Sequence, residues 1–173
     1  GVLTSGNAFK TIANALPQNI ETSNAPDAIL PQPAHRLDFS TTGALAIGKT
    51  RNSLHKLNEA FEKQRVKKVY YAICIGSLPE YGMINTPIDG KKAKTYYKVI
   101  DSVPSVRFRQ LQLVQLLPIT GRRHQLRKHL FAMGSPILGD ATYYNEGHIL
   151  YGKGLYLHAY SLRFLHPETG ACL

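Results

Sequence analysis

Val69-Tyr70-Tyr71-Ala72-Ile73-Cys74-Ile75 alternates so that Val69, Tyr71, Ile73 and Ile75 share one face, while Tyr70, Ala72 and Cys74 share the other. A period of two in β-branched and aromatic residues is the pattern of a β-strand. Gly76 and Pro79 end it. The Tyr70 face is the less apolar of the two, which suits a tyrosine that meets a ligand. Outward from this strand, Thr95 to Ile100 and Arg109 to Leu117 read as further strands, and Leu155 to Phe164 as two short strands or one bent one. Two helices are expected. Asn52 to Gln64 carries Leu54, Leu57 and Phe61 at helical spacing. A second starts after Thr120 and runs to about Met133 with Leu126, Leu130 and Met133 as its apolar stripe, and Gly134 and Pro136 stop it. Gln18 to Pro33, rich in Pro, Asn, Ser and Asp, reads as a loop. Many strands with few helices between them predict an α+β fold with a largely antiparallel sheet.

The chain of 173 residues fits one domain, with room for two lobes, and is long enough to bury a sizeable core. Its 21 Lys and Arg against 11 Asp and Glu give a net charge of +10, which points to a nucleic-acid partner. Cys74 and Cys172 stand far apart with no metal-site or disulfide spacing, and Cys74 reads as a small core residue. With no signal peptide and no apolar run long enough for a bilayer, a reducing cytoplasmic setting, a monomer and no membrane partner are expected. The chain opens at Gly1-Val2-Leu3 and stops at Ala171-Cys172-Leu173, so truncation at both ends is expected. No glycine-rich dinucleotide or nucleoside-triphosphate fingerprint is present.

Four segments carry candidate chemistry. His35-Arg36-Leu37-Asp38-Phe39-Ser40-Thr41-Thr42-Gly43 sets one carboxylate directly after a His-Arg pair and runs into the apolar stretch Ala44 to Ile47. Nearby cations keep such an Asp ionised, and an ionised, positioned carboxylate in a basic protein suits a reactive group aimed at a polyanion. Thr120-Gly121-Arg122-Arg123-His124-Gln125-Leu126-Arg127-Lys128-His129 is the second. On a helix, Arg123 with Arg127 and His124 with Lys128 would lie one turn apart, and the helix start would suit phosphate. His124 and His129 diverge by roughly 140° around such a helix, so no shared metal is expected. Arg122, His124 and Gln125 are candidate substrate contacts. The third segment, Lys68-Val69-Tyr70-Tyr71-Ala72, offers a ring for base stacking, against the plainer reading of a core tyrosine with a bonded hydroxyl. The fourth, Lys91, Lys92, Lys94 and Lys98 around Gly90, reads as a basic hairpin that either touches RNA or is solvated.

These residues resemble the RluA-type pseudouridine synthases, which isomerise uridine in ribosomal and transfer RNA. The resemblance spans nearly the whole chain. It rests on H-R-L-D-x-x-T-[ST]-G at His35 to Gly43, K-x-Y-x-A at Lys68 to Ala72, and Pro87-Ile88-Asp89-Gly90-Lys91. T-G-R-x-H-Q-L-R at Thr120 to Arg127, Gly134 to Asp140, Leu157-His158-Ala159 and His166-Pro167 complete it. Thr42 and Arg123 depart from the residues common in the family.

The resemblance implies a pseudouridine synthase fold, with a mixed, largely antiparallel central sheet, flanking helices and a catalytic cleft, as one catalytic domain over residues 1–173. It implies that Asp38 is the essential aspartate at C1′ of the target ribose, either as nucleophile or as a base promoting elimination. It further implies that Tyr70 stacks on the target base, Arg127 pairs with Asp38, Arg36 enters the RNA stack, and Leu157 lines the base pocket. The isomerisation exchanges no electrons and releases no group, so no cofactor and no metal is expected. The alternative is an RNA-binding module of the same fold without catalysis. A metal-dependent nuclease would want clustered acids, which the sequence lacks.

Overall fold

The expected strand around Tyr70 forms as β4 (Lys67–Ile75). It is the middle of a sheet whose other members are β2 (Thr42–Gly43), β5 (Tyr81–Ile84), β6 (Thr95–Ser105), β7 (Arg109–Pro118) and β8 (Leu157–Arg163). The order is β2-β8-β4-β7-β6-β5. β4 pairs antiparallel with β7, with Tyr70 opposite Leu116 and Cys74 opposite Gln112. β6 pairs antiparallel with both β7 and β5, and a bulge between Val99 and Asp101 shifts its register against β7. The computed structural model describes Thr4, residues 11–147, Gly152 and residues 154–173. Among these residues three helices stand beside the strands, which is the expected α+β class.

The chain divides into two compact units. The second, Ser40–Thr42 with Lys68–Ser161, holds most of that sheet and the main core: Ala72, Cys74, Leu78, Ile84, Tyr97, Val114, Leu116, Leu126, Leu130, Ile137 and Leu157. Burial of these side chains removes apolar area from water at about 25 cal/mol per Å² and is the main force holding the unit together. The face carrying Ala72 and Cys74 is the one turned to this core, and Tyr70 packs against it. The less apolar face in the sequence is thus the better buried, in one cluster with Leu126 and Leu130 of α3 (Gln125–Ala132). Burial in this core pushes the Cys74 thiol up to about 12, so it stays protonated and inert. Ile73 and Ile75 face the other way and join Phe108, Leu111 and Leu138 in a smaller cluster.

The first unit, Gly1–Phe39 with Gly43–Lys67 and Leu162–Leu173, has its own core of Ala34, Ala46 and Leu57 with Leu54, Phe61, Leu162 and Phe164 around it. The helix expected from Asn52 is α2 (Arg51–Glu62), capped by Thr50, whose hydroxyl accepts the Ser53 N–H at 3.1 Å. Gly48 of β3 (Ile47–Thr50) lets α2 come close, since a Cβ there would lie 2.9 Å from the Leu54 backbone.

Part of the stretch read as a loop is ordered instead. α1 (Ile12–Asn19) begins at a Thr11 cap and includes Pro17, and β1 (Ala28–Pro33) pairs antiparallel with β3. Pro31 and Pro33 are tolerated because β1 belongs to a two-stranded sheet and has only one partner to bond. No described helix is long and apolar enough to cross a membrane.

Candidate active site

In the first unit, the segment that carries the carboxylate is held by alternate residues. His35 stacks on Phe61 with ring centroids 4.4 Å apart, and its Nε2 accepts the Ala46 N–H at 3.0 Å. Leu37 donates its N–H to the Thr4 hydroxyl at 3.0 Å, and that hydroxyl donates to the Leu37 carbonyl at 3.3 Å. Between these anchors, Arg36 is exposed, and Asp38 beyond them is half-buried.

In the second unit, the continuation of this segment meets β8, where the Thr42 hydroxyl and His158 Nδ1 are 2.8 Å apart. The Thr41 hydroxyl is buried without a hydrogen-bond partner among the described residues, a condition that costs about 1–3 kcal/mol and is rare in folded proteins. Tyr70 is half-buried and Leu157 is 4% exposed, and both border the main core with Leu126 of α3. Lys68 lies two residues before Tyr70, on the same face of β4, and burial pushes its ammonium below the usual lysine range.

The second candidate segment departs from one continuous helix. His124 has a left-handed backbone, φ 54°, and α3 starts only at Gln125. Arg123 and His124 therefore precede the helix, although the His124 carbonyl still accepts the Lys128 N–H one turn on at 2.9 Å. The cause is Gln125, which is 4% exposed. Its Oε1 accepts from the Thr120 hydroxyl at 2.6 Å and the Arg122 N–H at 3.0 Å. Its Nε2 donates to the Lys94 carbonyl and the Thr95 hydroxyl, both at 3.0 Å. Gln125 thus organises the turn, its amide making four hydrogen bonds within the protein. His129 is likewise internal, with Nδ1 2.9 Å from the Thr95 hydroxyl and Nε2 3.0 Å from the Thr86 carbonyl. Burial pushes its pKa down more than the Thr86 contact raises it, so it is a neutral core histidine. Met133, expected in the apolar stripe, is 43% exposed at the helix end.

Arg127 is 8% exposed and held by Asp140, a residue the motif reading assigned no task. Arg127 Nε donates to Asp140 Oδ2 at 2.7 Å and Nη2 to Oδ1 at 2.8 Å. Asp140 Oδ1 also accepts the N–H groups of Thr142 at 2.8 Å and Tyr143 at 3.0 Å. Burial raises the Asp140 carboxyl, but the Arg127 hydrogen bonds, the two backbone donors and the Arg127 charge outweigh it and hold the group below the usual carboxylate range. Tyr143 lies against the guanidinium, 5.0 Å from ring centroid to Cζ, and its hydroxyl is 3.1 Å from His124 Nδ1. Gly139 aims Asp140: its φ is +76°, and a Cβ there would stand 1.7 Å from the Gly154 carbonyl oxygen. An acidic residue directly after that glycine, in a chain with 11 acids to 21 bases, was the available signal.

The expected basic hairpin exists as a two-residue turn, with Asp89 and Gly90 both at positive φ and reciprocal bonds between Ile88 and Lys91. Exposed Lys91, Lys92, Arg122 and Arg123 gather beside it. Lys128 bonds Asp89 at 2.8 Å, and Arg122 Nε donates to the Lys92 carbonyl at 3.1 Å. The Lys128 bond and the surrounding cations hold the Asp89 carboxyl below its usual range. Among the described residues no three His, Cys, Asp or Glu side chains gather to hold a metal.

Residues 2–132 match the family model described as RNA pseudouridylate synthase. The chain is 36% identical over 154 residues to the dual-specificity RNA pseudouridine synthase RluA of Vibrio parahaemolyticus, covering 80% of this chain and 62% of that protein. It is 39% identical over 142 residues to the ribosomal large subunit pseudouridine synthase C of Rickettsia bellii, covering 72% of this chain and 46% of that protein. The chain thus spans about three fifths of the first relative and under half of the second. Among solved structures it resembles human RNA pseudouridylate synthase domain containing 4, with a TM-score of 0.75 and 27% identity over 95% of this chain and 77% of that one. Family model, relatives and fold agree, and the chain belongs to the RluA-type RNA pseudouridylate synthase family.

Proposed function

We propose that this protein converts uridine to pseudouridine in structured ribosomal or transfer RNA, acting as a monomer in the cytoplasm. The observation that carries the reading is in the second unit, where Tyr70, Leu157 and the helix bearing Arg127 border one apolar cluster. A tyrosine ring, an apolar wall and an oriented guanidinium are what a flipped pyrimidine requires. The Lys91, Lys92, Arg122 and Arg123 cluster suits phosphates, which dominate RNA affinity.

The target uridine leaves its stack at a cost of a few kcal/mol, with Arg36 taking its place in the RNA. Asp38 acts at C1′ as the C1′–N1 bond breaks. The detached uracil turns against Tyr70 and Leu157, C5 bonds to C1′, the C5 proton leaves, and N1 is protonated. Atoms and electrons balance without a redox partner. Arg127 orients the base, and His124 reaches the guanidinium through Tyr143.

The test is incubation with uridine-containing ribosomal and transfer RNA, mapping pseudouridine by carbodiimide labelling and primer extension, with Asp38→Asn alongside. New stops with wild type alone are expected. Stops with neither protein, while both bind RNA, would replace this reading with a non-catalytic RNA-binding module.

A further inference from the structure

Arg127 and Asp140 form a buried pair whose carboxylate is saturated from four directions: two guanidinium nitrogens and the N–H groups of Thr142 and Tyr143. Such a pair is costly to bury, and a hydrophobic pair of similar volume is often as stable or more so. Stability alone is therefore a weak reason for it. Four features of the chain serve to place it. Ile137 pairs with Cys74 at the end of β4, which fixes the approach. Gly139 makes the turn that no other residue fits. The 140–143 turn then folds back so that its own backbone donors grip the carboxylate. Tyr143 closes the arrangement by laying its ring against the guanidinium.

We propose that Asp140 and Tyr143 are positioning residues for Arg127, converting its guanidinium from a mobile cation into a fixed pair of N–H directions. The inference rests on the pseudouridine synthase reading and deepens it. With Asp140 against it, Arg127 carries little net charge into the site. What it contributes to the base is the direction of its donors. A bidentate grip fixes both the plane and the rotation of the guanidinium, and a lysine cannot reproduce it. Tyr143 links the same guanidinium to His124, which gives that histidine a place in the site.

The test is steady-state pseudouridine formation by Asp140→Asn, Tyr143→Leu and Tyr143→Phe, with RNA affinity and melting measured on the same samples. For folded Asp140→Asn, kcat falls about a hundredfold, the scale of a small misplacement of a catalytic group. KM stays within threefold, and RNA affinity is unchanged or tighter because a negative charge is gone. Damage to the fold would lower activity and affinity together, so the split is specific to positioning. Should Asp140→Asn not fold, Tyr143→Leu carries the test: its kcat falls about tenfold at unchanged KM, while Tyr143→Phe, which keeps the ring on the guanidinium but loses the hydroxyl beside His124, loses less than Tyr143→Leu. An active wild type beside Asp140→Asn or Tyr143→Leu with unchanged kcat would overturn this inference alone. An inactive wild type on every RNA would overturn the functional reading and this inference with it.

Discussion

The segment around Asp38 and the segment from Thr120 to Asp140 are both polar and both strongly marked in the sequence, yet they are held in opposite ways. In the second, almost every polar side chain is matched by protein: Gln125 makes four hydrogen bonds, His129 uses both ring nitrogens, and Arg127 and Asp140 grip each other. In the first, His35 and Leu37 are anchored, Arg36 and Phe39 are exposed, and the Thr41 hydroxyl is buried without a described partner. A saturated polar network fixes a single geometry, whereas an unmatched one carries a cost that a substrate can relieve. The difference marks the helix region as framework and, under the proposed function, gives the aspartate segment to the substrate.

The largest effect that can break this contrast is Asp140→Ala. It leaves the Arg127 charge buried without its carboxylate, and equilibrium unfolding should show a loss of about 3–5 kcal/mol. A loss under 1 kcal/mol would mean that the network is not the framework. Next is His129→Leu, which strands the Thr86 carbonyl and should cost about 1–3 kcal/mol. His129 also sets a pH dependence. Its folded pKa lies below the ordinary value of 6.5, so below that pH the unfolded chain takes up a proton that the buried ring refuses. Stability is full above about pH 6.5 and declines as pH falls toward the lower folded value. His129→Leu should flatten denaturant midpoints measured from pH 7 to 5, and an unchanged slope would assign the titration elsewhere.

Thr41→Val sharpens the other side. Replacing an unmatched buried hydroxyl by a methyl should leave stability equal or raise it by about 1 kcal/mol, while pseudouridine formation falls. Destabilisation with full activity would place Thr41 in the framework instead. The smallest effect belongs to Lys128→Ala. Its partner Asp89 is exposed, and surface pairs contribute little, so the melting temperature should not move measurably.

The strands were legible because alternation survives in β4, β6 and β7, where one face meets the main core. The better-buried side of β4 was not, since Ala72 and Cys74 read as weakly apolar, yet both are buried in the main core. The start of α3 was hidden because periodicity ignores a left-handed His124 and a turn built by the Gln125 side chain. β1 was lost under its prolines, which mark a loop unless the strand has only one partner. Of the site, Asp38, Tyr70 and Arg127 stood out as motif residues. Asp140 and Tyr143 did not, because their importance lies in contacts made by a turn 13 or more residues from Arg127.

Forming the C1′–C5 bond expels the C5 hydrogen, so the most direct measurement is tritium release from RNA labelled at C5 of uridine, by wild type and Asp38→Asn in parallel. Wild type should release tritium into water on a ribosomal or transfer RNA, and Asp38→Asn, folded and binding RNA within about tenfold of wild type, should release none. Equal release by both proteins, or none by wild type on any RNA it binds, would contradict an Asp38-dependent pseudouridine synthase.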